Sequence, residues 1–363
     1  MTGQRICFIG WGDHVHFERW VNRFAGQGHT LSVVSFTELG RFAAEVATHR
    51  IGLPSRGMRW QLLMLRYLLW RIRPQIVHVH WAGFAPTVMS VWRGPTVITA
   101  WGSDIYRIAE RPAADRQALQ QSLRHADVIT CDSDDMASAI TDLAGDLRRP
   151  VSVVQWGVDT EAFAPGPPAH LIGRQLAALG GPVIFSARNF TPLYNQDIVV
   201  RAFALVRREI HDAVLVMKFY DGLIDERDRI LALADELAIA HAVTIIDSVP
   251  YEQMVDFYRV AAITVSIPSS DATPMALLEA MACGSVPVFS DLPSLREWIV
   301  DGQNGYLVAP TDADLLAQRL VDLLRRPELR ADFARRNRAI VAERGSEAAS
   351  AATMQRLYRQ LAP

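Results

Sequence analysis

The sequence predicts an α/β protein of two doubly wound domains that face each other across a ligand cleft. Three observations carry this expectation. Short β-branched runs alternate with helical stretches along the first half, the rhythm of βαβ units and a parallel sheet covered on both faces. The rhythm breaks once, between Gly157 and Pro182, where PGPP at Pro165 to Pro168 and the pair Gly180-Gly181 mark a linker. It then restarts, and the chain reads as helical from Thr311 to its end. The 363 residues are enough for two domains with full cores.

The elements follow in order. Arg5 to Gly10 is an apolar strand that runs into the glycine turn Gly10-Trp11-Gly12. His14 to Ala25 is a helix, with Val15, Trp20, Val21 and Phe24 at helical spacing. Gly28 stops it, and Thr30 to Ser35 is the second strand. Ile76 to His80, Thr96 to Ala100, Asp127 to Cys131 and Val151 to Val154 complete the first set of strands. The second set is Val183 to Ala187, Ala213 to Phe219, Val243 to Asp247, Ile263 to Ile267 and Val286 to Ser290. In open α/β sheets ligands bind beyond the carboxyl ends of the strands, so the residues just after these strands are the first candidates.

Composition excludes several classes. Half of the residues are hydrophobic and 21% are charged, as in ordinary globular proteins. A net charge of −2 gives no sign of bulk nucleic-acid binding. Lys218 is the single lysine among 37 basic residues, which reads as a codon bias toward arginine. Cys7, Cys131 and Cys283 lie far apart in apolar segments, without metal spacing, and suit a reducing compartment. The first strand begins within a few residues of Met1, so no signal peptide is expected. No apolar run reaches the ~18–20 residues of a membrane span. The segment Arg56 to Arg73 mixes Trp60, Trp70 and several leucines with five arginines. It has two readings: a helix lying on an anionic membrane surface, or a sheet-covering helix whose arginines reach out to water.

The stretch from Pro268, PSSDATPMALLEAMACGSVPV, carries the most chemistry. Asp271 precedes a helix whose expected N-cap is Thr273 and whose first residue is Pro274. Gly284 ends that helix, and a short buried strand follows. Glu279 stands among apolar neighbours, about 7–8 Å along the axis from Pro274 at ~1.5 Å per residue. A buried carboxylate needs a partner or a ligand. Ala276 and Cys283 keep the face around it small. N–H groups of Thr273, Met275 and Ala276 at the helix start suit an anion, and Glu279 suits hydroxyls; together these describe a sugar nucleotide. The alternative is a core helix whose Glu279 pairs with an arginine.

This segment resembles the acid-x7-acid motif of retaining glycosyltransferases of the GT-B fold, in the large family 4 group. The usual wording there is close to E-G-F-G-L-P-x-x-x-E-A-M-A-x-G-x-P-V. Here the first acid is Asp271 and the second is Glu279. The tail DLPSLREWIVDGQNGYLV resembles the family's continuation, with R-E-x-I and D-G-x-N-G-x-L-V. Gln27 to Leu31, Ile76 to His80 and Val151 to Pro165 resemble its R-G-H-E-V, D-I-V-H-x-H and I-x-N-G-V-D-x-x-x-F-x-P. Ser186-Ala187-Arg188, with Pro192 and Asn195, resembles its G-R-x-x-x-x-K-G turn.

The resemblance implies two Rossmann-like domains in the GT-B arrangement. Residues 1–165 would form the acceptor domain, 166–182 the linker and 183–345 the nucleotide-sugar domain, with 346–363 packing back on the first. It implies metal-independent transfer of a sugar from a nucleotide diphosphate, most simply a UDP-sugar, with retention of configuration. No cofactor is expected beyond the donor as co-substrate. The acceptor is a glycan, a glycolipid or a small molecule, and the setting is cytoplasmic polysaccharide synthesis, with membrane association at the cytoplasmic face left open. Arg188 matches the arginine that meets the departing diphosphate; its other reading is a salt bridge. Tyr194 takes the place of the family lysine and Asn195 that of the following glycine. Lys218, at the end of the next strand, is a candidate for the missing charge. Glu279 matches the ribose-holding acid and Asp271 the acid near the donor sugar. The turn Asp247 to Pro250, and Val249 within it, matches the base contact.

In the first domain, Gly12 belongs to a turn that resembles the one approaching the donor phosphates. Trp101-Gly102-Ser103-Asp104 resembles H-G-S-D, with Trp101 in place of the histidine. Asp104 has two readings, an acceptor-orienting acid or a cap of the following turn. His14, His16 and His80 lie at strand ends or helix starts, and His16 is the candidate for an acceptor contact. Acceptor specificity is expected in Gly40 to Arg59 and Tyr106 to Pro112. The departures at Trp101 and Tyr194 keep a second class open, a glycosyltransferase-like protein that binds or regulates a partner. An epimerase would need an acid/base pair at the sugar that the sequence does not show. A Rossmann dehydrogenase is disfavoured, because no G-x-G-x-x-G opens a helix.

Overall fold

The structure is a computed structural model that describes residues 3–52, 59–219 and 224–361. In chain order the strands and helices begin with β1 (Arg5–Gly10), α1 (Val15–Arg23), β2 (Thr30–Ser35), β3 (Ala47–Arg50), α2 (Arg59–Ile72), β4 (Ile76–His80) and α3 (Ala85–Val91). They continue with β5 (Thr96–Thr99), α4 (Ser103–Tyr106), α5 (Ala113–His125), β6 (Val128–Cys131), α6 (Asp134–Ala144) and β7 (Ser152–Val153). Then come α7 (Leu171–Ala177), β8 (Val183–Ser186), α8 (Gln196–Glu209), β9 (Val214–Lys218), α9 (Ile224–Glu236), β10 (Val243–Ile246), α10 (Met254–Val260) and β11 (Ala261–Ser266). Last are α11 (Met275–Cys283), β12 (Val286–Ser290), α12 (Pro293–Arg296), β13 (Tyr306–Val308), α13 (Ala313–Arg325), α14 (Pro327–Ile340) and α15 (Glu347–Leu361).

The chain divides into two units, 1–156 with 348–363, and 157–347. The first holds a seven-stranded sheet of order β3-β2-β1-β4-β5-β6-β7, the second a six-stranded sheet of order β10-β9-β8-β11-β12-β13. Every pairing in both is parallel. Each order reverses once, between β1 and β4 and between β8 and β11. Those reversals are the switch points at which α/β sheets open a crevice for a ligand.

In the first unit, Ile6, Phe8, Leu31, Val33, Ile76 and Val97 pack against Phe17, Trp20 and Val21 of α1. Met354 and Tyr358 of α15 join this core. Ser350, Met354 and Tyr358 recur every fourth residue and form the buried stripe that fixes this helix. The Tyr358 hydroxyl lies 2.6 Å from His78 Nδ1, and its carbonyl accepts from Gln4 Nε2 at 3.0 Å. In the second unit, Val199, Val200, Phe203 and Val206 of α8 cover Ile184, Leu215 and Met217. The three cysteines are buried thiols, small residues of the core.

Several expectations need correction. The stretch 166–182 is not an open linker. It contains α7, and Asp256 accepts from Ala169 N (2.8 Å) and His170 N (2.6 Å) ahead of that helix. The unit boundary falls after Trp156, not at 165. Pro274, at ψ 135°, is the N-cap of α11 rather than its first residue, and Thr273 lies one position outside. Gly284 ends that helix with φ 90°, where a side chain would be strained. Two strands were not expected: β3 reads ATHR and is a largely exposed edge, and β13 is three residues long.

Helix α2 buries Leu65, Leu68 and Leu69 on one face. The opposite face exposes Trp60, Leu63 (67%), Met64, Tyr67 and Trp70 (66%). Residues 56–58 of the arginine-rich segment, and 53–58 of the expected acceptor region, lie outside the described residues. Among the described residues no helix is long and apolar enough to cross a membrane.

Candidate functional site

In the second unit the candidate residues gather at the β8/β11 switch point. Arg188 follows β8. Ser186 Oγ donates to Gln196 Oε1 (2.9 Å), and Gln196 Nε2 donates to the Arg188 carbonyl (2.7 Å), so the start of α8 holds the arginine's backbone. The guanidinium lies 4.2 Å over the Tyr194 ring, with Nη2 2.9 Å from Asp271 Oδ2. That contact is a pairing of charges without a well-aligned hydrogen bond, since Oδ2 accepts none. Both side chains are mostly buried, at 15% and 17% exposed. Burial works against the Arg188 charge, but Asp271 and Tyr194 outweigh it and raise its pKa. Burial pushes the Asp271 carboxyl up, and Arg188 offsets part of that. Of the two readings of Arg188, the salt bridge is the one the structure shows.

The loop that carries Asp271 is pinned on several sides. Asn195 takes the left-handed conformation (φ 46°) that glycine fills in the family motif. Its side chain donates to Ile267 O (2.8 Å) and Ser269 Oγ (3.0 Å). Ser269 N donates to Leu193 O at 2.9 Å. Ser290 Oγ donates to Pro268 O and Ser294 Oγ to Asp271 O, both at 2.7 Å. The Trp298 indole N–H donates to Thr273 Oγ1 at 3.1 Å, so Thr273 anchors the loop instead of capping α11. Pro274 offers no capping side chain. The N–H groups of Met275 and Ala276, in the first turn, have no intrahelical carbonyl partner, as at any helix start.

Glu279 is 4% exposed on α11, whose every residue is buried. Two tyrosines are among its partners. Tyr251 OH donates to Oε1 at 2.6 Å and Tyr258 OH to Oε2 at 2.8 Å. Phe163, from the stretch that resembles G-V-D-x-x-x-F, packs on both tyrosine rings, with centroids at 5.4 and 6.2 Å. Lys218 ends β9 at 1% exposure. Burial lowers its pKa to about 8, against the pull of Glu279. Val249 lies in the loop after β10, half-buried, ahead of Tyr251.

The first unit's candidates divide. Gly12 is buried: its N–H donates to Ser35 Oγ (2.9 Å), and a Cβ there would come 2.7 Å from the Glu38 carbonyl. Packing of the 35–40 loop accounts for this glycine. Asp104 is fully buried. It accepts from Ala82 N (2.6 Å), Trp101 N (3.0 Å) and Gly102 N (2.9 Å). Burial still raises its pKa. The turn-capping role is the one its geometry shows, and both oxygens are engaged, so it is not free to orient an acceptor. His14 caps α1 by accepting from His16 N (3.3 Å), and its ring stands edge-on to Trp101 at 4.7 Å. His16 is half-buried, with its ring 5.8 Å from Trp156. His80 is fully buried, and burial holds its pKa well below the usual range. Trp81, next in the chain, has φ 68° and ψ 101°, a region that costs a bulky residue about 1–3 kcal/mol.

Among the described residues no cluster of His, Cys, Asp or Glu is arranged to hold a metal. Sequence reasoning missed Tyr251, Tyr258, Trp298 and the aromatic company of His80. Tyr251 and Tyr258 are spaced seven apart, two helical turns, and that spacing is the one signal that places both hydroxyls on one side.

Comparison with known proteins agrees with this architecture. The family described as Glycosyl transferases group 1 matches residues 172–340, and the one described as Glycosyl transferase 4-like matches 5–133. A D-inositol 3-phosphate glycosyltransferase of Acidothermus cellulolyticus is 32% identical over 205 residues, 55% of this chain and 46% of the relative. The chain thus spans about half the length of the curated relatives it matches. Sucrose-phosphate synthase from Thermosynechococcus elongatus shares the fold with a TM-score of 0.85 at 18% identity, over 99% of both chains. Anabaena HepE, solved in complex with UDP-glucose, gives 0.83 at 14% identity, over 99% of this chain and 100% of that one. With both halves matched by glycosyltransferase families, and with two Rossmann-like units of the GT-B kind, the chain belongs to the group 1, family 4-like glycosyltransferases.

Proposed function

We propose that this protein transfers a sugar from a nucleotide-diphosphate donor to an acceptor hydroxyl, with retention of anomeric configuration and without a metal. The observation that carries the reading is the juxtaposition of Arg188, Asp271, the uncapped start of α11 and buried Glu279 at one switch point. The chemistry demands stabilisation of the departing diphosphate. Arg188 supplies a guanidinium, α11 its first N–H groups, and Lys218 a charge that a pKa of about 8 leaves available at neutral pH. Glu279 offers a carboxylate to ribose hydroxyls, with the Tyr251 hydroxyl standing where one of them would bind. Asp271, paired with Arg188, is the acid assigned to the donor sugar. The HepE complex with UDP-glucose supports a UDP-sugar as donor.

The test is incubation with UDP-, GDP-, ADP- and dTDP-sugars in the presence of a chelator, with the product's anomeric configuration read by NMR. A product of inverted configuration, or transfer that needs a divalent ion, contradicts the mechanism proposed. The pairing of Arg188 with Asp271 also favours a second reading, a binding or regulatory protein whose arginine is already neutralised. That reading gains if nucleotides bind without turnover.

The reading extends to a cytoplasmic enzyme that touches anionic lipid through α2. From Val46 to Ser103 the chain has no acidic residue, while Arg66, Arg71 and Arg73 accompany the exposed apolar face. That pairing of apolar side chains with cationic flanks matches an anionic lipid surface. Sedimentation with phosphatidylglycerol vesicles at low salt tests it, and protein that stays in the supernatant refutes it.

A further inference from the structure

Tryptophans follow four strands of the first unit. Trp11 follows β1, Trp81 follows β4, Trp101 comes just after β5, and Trp156 lies beyond β7. At the switch point, Trp11 and Trp81 stack with centroids 5.1 Å apart. Trp101 stands edge-on to Trp11 at 6.1 Å and to Trp156 at 5.1 Å. All four are half-buried, so part of each ring stays accessible.

Two further observations point to a ligand. The indole nitrogens of Trp11, Trp81 and Trp101 are shielded from solvent without a protein partner. Both ring nitrogens of His80 are likewise unpartnered in a side chain that is fully buried. That ring lies 6.2 Å from Trp101 and 5.8 Å from Trp156. The Trp81 backbone is also held in a conformation that bulky residues avoid.

The chemistry of these groups selects the ligand class. An indole N–H is a donor only, so each of these groups is suited to an acceptor oxygen on a ligand. Indole faces take apolar C–H faces. A pyranose ring offers both, C–H faces for stacking and hydroxyl oxygens for the N–H groups. An aromatic guest would leave the donors unpaired. A phosphate wants a cationic fork. The cations on these rings, Arg111 over Trp81 (4.7 Å) and Arg23 over the adjacent Trp20 (5.1 Å), lie against indole faces, and Asp104 brings a carboxylate to Trp101.

We propose that this tryptophan cluster is the acceptor subsite and that it takes a neutral sugar ring, not a phosphorylated polyol. The inference rests on the glycosyl-transfer reading above and sets this chain apart from the relative named for D-inositol 3-phosphate.

The test is calorimetry and indole fluorescence on the full chain, titrated with maltose, cellobiose, lactose and D-inositol 3-phosphate. UDP, GDP, ADP and dTDP are titrated separately as the donor control. A neutral disaccharide should bind with a change in indole emission. Trp101→Ala should weaken that binding at least about tenfold, a loss of ~1.4 kcal/mol or more, with nucleotide affinity unchanged. Trp101→Phe should keep part of it. If Trp101→Ala does not fold, as judged by near-UV circular dichroism, Trp156→Leu carries the same expectation. The proposal is overturned if D-inositol 3-phosphate binds more tightly than every neutral sugar. It is equally overturned if Trp101→Ala leaves sugar binding unchanged, or if a nucleotide binds and no sugar does. Failure of every nucleotide to bind overturns the donor reading and this inference with it.

Discussion

Lys218→Met should make the protein more stable and its donor site weaker. The side chain is 1% exposed, and burial lowers its pKa from 10.5 to about 8. At 1.36 kcal/mol per unit, that difference puts the cost of keeping the ammonium charged at about 3 kcal/mol. The folded pKa lies below the unfolded one, so between pH 8 and 10.5 the unfolded chain binds the extra proton. Stability therefore rises with pH across that window, and the whole penalty is present below pH 8. Methionine keeps the aliphatic stem and removes the charge. Urea unfolding of both proteins at pH 7 should show the variant more stable by up to about 3 kcal/mol, and the gain should shrink towards zero near pH 10.5. Nucleotide-diphosphate affinity should fall in the same variant, because the charge is lost from the site. A variant that is no more stable at pH 7 refutes the argument that burial sets the lysine's pKa. Unchanged nucleotide affinity removes Lys218 from the donor site.

Tyr258→Phe leaves Glu279 Oε2 without the donor it has at 2.8 Å, and should cost about 1–3 kcal/mol in urea unfolding and raise the nucleotide Kd. A neutral result means the carboxylate does not depend on that hydroxyl. Asp256→Ala removes the fully buried acceptor of Ala169 N and His170 N, beside Arg259 at 3.8 Å, and should cost about 3–5 kcal/mol. Limited proteolysis should then cut first within 165–170, and a protected segment counts against the anchor.

What was legible in the sequence follows from burial. Strands such as Ile76 to His80 and Val286 to Ser290 are buried along their whole length, so short apolar runs found them. Strand β3 pairs with one neighbour and faces water, so ATHR carried no pattern. The stretch 166–182 looked like a linker because prolines and glycines cluster at both its ends, while the helix inside is anchored by Asp256, far along the chain. Strand ends located Arg188 and Asp271 separately, but their pairing is a property of the β8/β11 neighbourhood. Glu279 was recognisable as a buried acid, whereas its tyrosine partners, one on α10 and one in the turn before it, read as core aromatics. Asp104 was open between two roles, and the three backbone N–H groups converging on it decide for the structural one. The positive φ of Asn195 shows how that residue fills the place of the family's glycine.

The central claim is that the second unit holds a nucleotide-diphosphate site built on Arg188, Asp271 and Glu279. Its most direct test is calorimetric titration of the purified protein with UDP, GDP, ADP and dTDP, beside Glu279→Ala. The account predicts that one nucleotide binds with micromolar affinity and that the variant loses about tenfold or more of it. Binding to none of the four, or binding that Glu279→Ala leaves intact, would contradict it.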